Sequence, residues 1–347
     1  MNTATPRVGA RGVHCLAIPT PFAVGRVNCY LIEDEPLTLL DAGPNSGTSL
    51  TALEAALGEH GRRVEDLERI VVTHQHIDHI GLVDILAKRS GAEVCALDRL
   101  APWLASYKQE MEANDSFSAQ IMLANGIPQD VVYALRAVSA SFRGWGAAAR
   151  VTRPVAEGEL LQFASRAWRV LYRPGHSPSD TVFLDEASGE LFGGDHLIKH
   201  ISSNPLISRP LERLPGEGVG GETGTTREGV AEEERPRALM IYMDSLRKTR
   251  EMELEVVYAG HGEPVEDHRV LIDERMKMHE RRANRLHKLI CERPRNAYEL
   301  AQEMWGNVAV TQAFLTLSEV LGHVDLLIDE GRVGERKASG VTSFEAA

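Results

Sequence analysis

Three histidines and one aspartate fall within the six residues from His74 to His79, which read His-Gln-His-Ile-Asp-His. They directly follow an apolar run at residues 70–72, which we predict to be a buried strand. Crowding imidazoles in this way costs free energy unless a cation uses their lone pairs. The alternation places His74 and His76 on one side of an extended turn, while Asp78 and His79 enter the next helix. This spacing predicts two neighbouring metal positions.

Further ligands must come from other segments, because one short run cannot complete two coordination shells. Three segments share the same design: an apolar strand, a turn that contains glycine, and then a metal-ligating side chain. They end at His176, Asp195 and His261. Sheets of α/β proteins place their sites just beyond strand ends, and glycine lets the backbone pass close to a metal cluster. We therefore expect all these side chains to converge.

The predicted ligand set has seven members in two groups that share one carboxylate. One ion is assigned to His74, His76 and His176, the other to Asp78, His79 and His261, with Asp195 as the bridge. Nitrogen and oxygen ligands without a thiolate favour Zn²⁺ and are also compatible with Fe or Mn.

The chemistry predicted for such a centre is attack by a metal-bridging hydroxide. Two cations ~3.5–4 Å apart share a water molecule and lower its pKa toward ~7. Asp78 is predicted to hold the second metal and to receive the proton transiently. His196 and Lys199 are the candidates for substrate contact, since they lie close to Asp195 in the sequence.

The elements around these residues alternate between strands and helices. Short apolar runs predict hairpin strands over residues 13–41 and strands at 70–72 and 93–97, with helices at 46–57 and 80–87. This alternation predicts an α/β layered architecture. Residues 100–143 lack strand signals and are predicted to be helical. Their aromatic and methionine side chains either pack as a helix core or form a wall over an apolar substrate.

The chain after Pro264 shows helical patterns only. Apolar positions from Ile272 to Ile290 recur at spacings of four and three, and Asn296 with Glu299 predicts a capping box that opens a second helix. A third helix and a short hairpin complete a domain of winged-helix type. We predict a metal-binding domain over residues 1–264, with a mobile loop at 210–236, and a helical winged-helix-like domain over 265–347.

The composition sets limits on partners and location. The 347 residues carry 38 basic and 50 acidic side chains, a net charge of −12, which repels nucleic acid overall although a local basic patch can still bind it. We expect no membrane association, because no apolar run approaches the ~18 residues of a span, and no secretory signal is apparent. Four cysteines without a CxxC pattern fit a cytoplasmic protein. A homodimer is compatible with these features.

The order of the motifs resembles the metallo-β-lactamase superfamily of metallohydrolases. Its members carry HxHxDH, then a histidine in a Pro-Gly-His turn, an aspartate after a Gly-Gly turn and a last histidine in a Gly-His-Gly turn. All four occur here in that order between residues 13 and 264, and Asp41 matches a position behind the metal site. The resemblance implies an αββα four-layer sandwich. The part after Pro264 resembles the winged-helix appendage of one bacterial branch and its mitochondrial endoribonuclease relatives.

Within this superfamily, the sequence resembles the hydroxyacylglutathione hydrolase-like branch. This resemblance implies hydrolysis of an ester or thioester of a small acyl substrate. The turn at residues 174–180 departs from the glutathione-binding pattern, so we predict an apolar acyl group held by the helices at 100–145. One alternative is an RNA phosphodiesterase, because residues 275–295 carry eight basic and two acidic side chains. Others are a mononuclear iron persulfide dioxygenase and a winged-helix regulator with an inert metal site.

Overall fold

The computed structural model describes residues 12–211 and 235–347. Most of the predicted mobile loop at 210–236 lies outside the described residues. Two sheets, flanked by helices, form the larger part of the molecule. No helix among the described residues is both long enough and apolar enough to cross a membrane.

The first sheet has six strands in the order β1 to β6. They are β1 (Val13–Ile18), β2 (Val27–Ile32), β3 (Thr38–Leu40), β4 (Arg69–Val71), β5 (Glu93–Leu97) and β6 (Arg153–Val155). Strands β1 to β3 pair antiparallel, and β3 to β6 pair parallel. Every residue of β2 is buried, because this strand is covered on both faces.

The second sheet has five strands in the order β11-β10-β9-β8-β7. They are β7 (Leu160–Gln162), β8 (Ala167–Tyr172), β9 (Thr181–Asp185), β10 (Glu190–Gly194) and β11 (Val256–Ala259). An aromatic core joins the two sheets, with Trp168 and Phe192 of the second sheet packed beside Tyr30 of the first. Burial of these large side chains is a major source of stability for the sandwich.

Helices cover the outer face of each sheet. The first sheet is covered by α1 (Gly47–Glu59), α2 (Ile77–Ile80) and α3 (Val83–Ser90), and the second by α7 (Ala238–Arg250) and the start of α8 (His268–Glu292). The resulting order is helix, sheet, sheet, helix. The predicted αββα sandwich is therefore confirmed.

A second group of helices lies beside the sandwich. The stretch predicted to be helical forms α4 (Leu100–Ala105), α5 (Tyr107–Ala124) and α6 (Gln129–Phe142). Towards the end of the chain follow α9 (Ala297–Trp305), α10 (Val308–Thr311) and α11 (Ala313–Asp329). A three-stranded sheet of β12 (Arg295–Asn296), β13 (Val333–Ala338) and β14 (Val341–Ala346) completes this part.

The last part of the chain has its own apolar core, here called the C-terminal core. It is formed by Leu286 and Ile290 of α8 together with Leu317 and Leu321 of α11, and α5 adds Met122. The predicted capping box is present: the Asn296 side chain accepts from the Glu299 amide, and Glu299 accepts from the Asn296 amide. The winged-helix assignment and the boundary at residue 264 stay predictions.

Candidate metal centre

The predicted ligands meet at one edge of the sandwich, each just beyond the end of a strand or at the start of a helix. His74 and His76 follow β4, and Asp78 and His79 lie in the short helix α2. The others follow the second sheet's strands: His176 after β8, Asp195 after β10 and His261 after β11. Segments that are distant in the sequence therefore share one site.

The seven side chains form two groups. Within each group one donor atom per residue lies within 4.8 Å of every other. The first group is His74, His76, His176 and Asp195, and the second is Asp78, His79 and His261. These are the two sets that the sequence predicts, with Asp195 counted in the first.

Asp195 lies between the two groups. Its Oδ2 atom is 3.5 Å from Nε2 of His176 in the first group and 3.5 Å from Nε2 of His261 in the second. Its Oδ1 atom is 3.5 Å from Nε2 of His79. One carboxylate thus faces the donor atoms of both groups.

The residues fit bound divalent cations, as their unpartnered atoms show. Among the described residues, Nε2 of His74, His79 and His261 and Oδ1 of Asp195 are buried with no hydrogen-bond partner. Nδ1 of His76 also faces Nε2 of His176 at 2.9 Å. Buried polar atoms without partners cost free energy. Bound cations remove that cost, and imidazole with carboxylate and no thiolate suits Zn²⁺, Fe or Mn.

Hydrogen bonds behind the site fix which ring nitrogen faces the centre. His79 donates from Nδ1 to Oδ2 of Asp41 at 2.7 Å, and His261 donates from Nδ1 to the carbonyl of Arg26 at 2.8 Å. The Thr73 hydroxyl donates to Asp41 at 2.8 Å and so accepts from Nδ1 of His74 at 3.0 Å. Each bond directs Nε2 towards the centre, where it becomes available to an ion once any proton on it is displaced.

The surroundings shift the pKa values of the site histidines in opposite directions. Burial, followed by the nearby His176, lowers the pKa of His76 to about 3. Burial also opposes protonation of His261, but the Asp195 and Asp78 carboxylates outweigh it and raise its pKa to about 9. Burial also opposes protonation of His79, but the nearby carboxylates, with Asp41 first among them, hold its pKa well above its ordinary value. Carboxylates and imidazoles therefore share protons that a metal would displace.

Two glycines are required by the close packing at the centre. A Cβ atom at Gly260 would lie 2.2 Å from Oδ1 of Asp195 and 2.8 Å from Cε1 of His79. At Gly175, where φ is +146°, a Cβ would lie 2.3 Å from Cα of Tyr242. These turns therefore bring His261 and His176 to the site at distances that only glycine allows.

The two residues predicted to contact substrate are placed elsewhere. His196 is fully buried, and its Nε2 lies 2.8 Å from the Thr249 hydroxyl of α7. Burial lowers its pKa to about 3. Lys199 reaches outward and pairs with Glu263 at 2.9 Å. Neither belongs to the cavity wall described next, so their predicted substrate contact has no support from this placement.

A cavity of about 630 Å³ opens onto the metal centre. Its inner wall includes His76, Asp78, His176, Asp195 and His261. Its other walls come from the loop after β1, from α5 and α6, from residues 198–209 and from the start of α11. The sequence predicts the α5–α6 wall, but it gives no signal for the part played by α11. The Thr73 hydroxyl and the Arg26 carbonyl were also missed, because a supporting hydroxyl or carbonyl has no recognisable motif.

The comparisons agree with this fold and site. The family model of the metallo-beta-lactamase superfamily matches residues 23–261. The chain therefore belongs to the metallo-beta-lactamase superfamily, a group of metallo-hydrolases, and carries two candidate metal-binding His/Asp clusters.

Three similar proteins cover nearly the whole chain. The probable metallo-hydrolase YqjP of Bacillus subtilis is 30% identical over 315 residues, which are 91% of this chain and 92% of YqjP. A crystal structure of a metallo-beta-lactamase family protein from Thermus thermophilus has a TM-score of 0.76 at 25% identity, covering 97% of this chain and 99% of that one. A beta-lactamase domain protein from Burkholderia ambifaria gives 0.78 at 25% identity, with 97% and 93% covered.

Proposed function

We propose that the protein is a hydrolase that uses two divalent metal ions, first of all Zn²⁺, to cleave an ester or thioester of a small acyl substrate. The observation that carries this proposal is the position of Asp195, whose two oxygens face His79, His176 and His261 at 3.5 Å. A carboxylate shared by two ligand groups supports two ions at one centre.

The chain's own residues would hold the ions and direct the reaction. Bound there, two divalent ions supply an acidified water molecule and a Lewis acid for a carbonyl oxygen. Asp78 lines the cavity with Oδ2 at 3.4 Å from Nε2 of His261, and we assign to it the transient acceptance of the water's proton. Asp41 holds His79 in the tautomer that leaves Nε2 free.

The RNA phosphodiesterase alternative depends on the basic stretch at residues 275–295. Four of its eight basic side chains are engaged within the chain. They are Arg275 with backbone carbonyls, Arg282 with Glu319, Arg293 with Glu299 and Arg295 with Glu292. Half of the basic side chains of this stretch are therefore already engaged and less available to a phosphate backbone, so the ester or thioester reaction is our first choice.

The persulfide dioxygenase alternative needs one iron on two histidines and an aspartate. It leaves the second group, Asp78, His79 and His261, without a purpose, although that group is as compact as the first. A regulator with an inert site would need both groups to be idle. We therefore rank both alternatives below hydrolysis.

The cellular location and the oligomeric state of the enzyme are part of the same proposal. We propose a cytoplasmic enzyme that acts on a small molecule, either alone or as a homodimer. The four cysteines are all free in the structure, which supports a reducing compartment. We also propose that the protein belongs to the hydroxyacylglutathione hydrolase-like branch and that its C-terminal part is a winged-helix-like appendage. The three-stranded sheet beside α9 and α11 supports the appendage.

The test is metal analysis of the purified protein followed by assays on five substrate classes. We expect about two metal equivalents per chain and turnover of esters or thioesters that is lost on chelation and restored by Zn²⁺. Phosphodiesters, lactones and a persulfide serve as the competing substrates. Full metal content with turnover confined to RNA or to the persulfide would contradict the proposal.

A further inference from the structure

The cavity beside the metal centre extends beyond the sandwich that holds the ligands. Ile77, Trp103 and Met111 line it and pack against the core on the outer face of the first sheet. Met122, Leu135 and Phe314 also line it, but they belong to or pack against the C-terminal core. One continuous space therefore connects the ions' position with the C-terminal part of the chain.

Most of the surface that the cavity walls expose between these two ends is apolar, although eleven lining residues other than the predicted ligands are polar or charged. Thirteen of the 29 lining residues are aliphatic, aromatic or methionine side chains, and five others are predicted ligands. Two charged wall residues are already neutralised: Asp115 pairs with Arg143, and Arg209 pairs with Glu110. Arg136 is exposed on α6. Burying charge here would be costly, whereas a hydrocarbon chain gains free energy with every methylene that leaves water.

We propose that this cavity binds the straight acyl chain of the substrate, and that Phe314 of α11 determines the chain length that is accepted. This inference rests on the proposed ester or thioester hydrolysis and names its substrate class. With the carbonyl at the metal centre, the chain runs along Trp103 and Met111 towards Met122 and Phe314. The C-terminal part thus supplies the end wall of the substrate site.

The size of the space fits this assignment. Small-molecule pockets commonly measure about 300–1,000 Å³, and this cavity measures about 630 Å³. Phe314 is only half-buried, and its ring reaches both the cavity and the C-terminal core. Its removal should lengthen the cavity, while a larger side chain at the half-buried Leu135 should shorten it.

The experiment measures kcat/KM of the zinc-loaded protein for p-nitrophenyl esters from acetate to palmitate. We expect kcat/KM to rise about fourfold per added methylene until the cavity is full, and then to fall. Phe314→Ala should move the optimum to longer chains, and Leu135→Trp should move it to shorter ones. The metal content of both variants should equal that of the unmodified protein, so a changed optimum reports on the cavity and not on the metal centre.

The matched control is Tyr298→Ala. Tyr298 packs against the same C-terminal core and is not one of the described residues that line the cavity, so its loss should leave the optimum unchanged. If both cavity variants change kcat/KM by one common factor at every chain length, or not at all, the inference is overturned. A shift of the chain-length optimum in Tyr298→Ala would also overturn the inference, because loosening of the C-terminal core would then explain the shifts in the cavity variants.

A binding measurement separates this inference from the proposed function. If the protein with full metal content hydrolyses neither an ester nor a thioester, the proposed function fails. Calorimetric binding of straight-chain carboxylates then still tests the cavity. A Kd that tightens with chain length, with a longer optimum in Phe314→Ala, supports the acyl-chain site. A Kd that is independent of chain length overturns it.

Discussion

Nδ1 of His79 lies 2.7 Å from Oδ2 of Asp41, and both side chains are almost completely buried. Asp41 stands at the end of β3 with φ +57°, and it also accepts the amide and hydroxyl of Thr73. One carboxylate therefore ties the ends of β3 and β4 to α2. A predicted ligand is held in place by a residue that does not itself face the ions.

Asp41→Asn should weaken metal binding by about 10-fold to 100-fold, because supporting hydrogen bonds of ligating histidines commonly contribute this much. Asparagine tolerates the positive φ, so the backbone should persist. Titration against a competing chelator measures the change. Asp84→Asn is the control, since Asp84 pairs with Lys88 on the exposed face of α3. Unchanged affinity in Asp41→Asn would remove Asp41 from its supporting role.

Asp195→Ala should lose at least one metal equivalent per chain, because its oxygens face members of both ligand groups. His76→Ala should abolish turnover while the fold remains largely intact. Elemental analysis and circular dichroism measure these two effects. Retention of the full metal content in Asp195→Ala would show that Asp195 does not bridge, and retained activity in His76→Ala would contradict its assignment as a ligand.

Gly260→Ala should disrupt the centre through sterics alone. The new methyl would meet Oδ1 of Asp195 at 2.2 Å, and relief of that contact must move the carboxylate or the turn before His261. We expect metal affinity to fall by at least about 10-fold. Gly47→Ala is the control, because a Cβ there meets nothing within 4 Å. Equal metal affinities of the two variants would show that the turn adapts freely.

Arg275→Ala should impair substrate binding more than metal binding. The guanidinium donates from Nη2 to the carbonyls of Ile198, Lys199 and Ile201 at 3.1, 3.0 and 3.0 Å. It thereby holds a segment whose Ile198 and Ile201 line the cavity. We expect KM to rise by about 10-fold, with metal content unchanged. Lys277→Ala, on the exposed face of the same helix, should change neither quantity.

The stability of the protein should fall as the pH drops below about 6.5, and the buried pair His279 and His323 should contribute to this fall. Burial, with His323 as the next cause, lowers the pKa of His279 to about 3, and burial also lowers that of His323. Arg275, Arg282 and Glu319 are the charged neighbours. The unfolded state binds a proton at His279 more tightly than the folded state does. The free energy of unfolding therefore keeps its full value above pH 6.5 and falls progressively towards pH 3.

His279→Gln tests this directly. Chemical denaturation at several pH values should give a slope lower by about 1.4 kcal/mol per pH unit between pH 6 and pH 4, since one fewer proton is taken up on unfolding. His200→Gln, at an exposed position, should keep the slope of the unmodified protein. Identical slopes in His279→Gln and the unmodified protein would mean that His279 is already protonated in the fold.

Local patterns were sufficient to predict which side chains the structure brings together in the two candidate metal-binding groups. His176, Asp195 and His261 each follow a short apolar strand and a glycine turn, and such turns project side chains at a sheet edge. The strands themselves were predictable because each is a compact apolar run. Their order in the two sheets depends on long-range pairing, which no single segment of the sequence encodes.

Proximity in the sequence to a predicted ligand does not by itself place a side chain in the cavity wall. His196 is adjacent to Asp195, yet the chain turns after β10 and directs its ring to Thr249. The cavity wall, in contrast, joins α5, residues 198–209 and the start of α11, which lie far apart in the chain. Only the packed structure brings Trp103 and Phe314 to the same space.

The long helix α8 bears on how substrates can enter. Its first turns, with Ile272, pack on the second sheet, and its last turns, with Ile290, lie in the C-terminal core. At 25 residues it forms a rod about 37 Å long, without a break between the two cores. Because this one helix joins the two cores, the end wall of the cavity stays fixed relative to the sandwich.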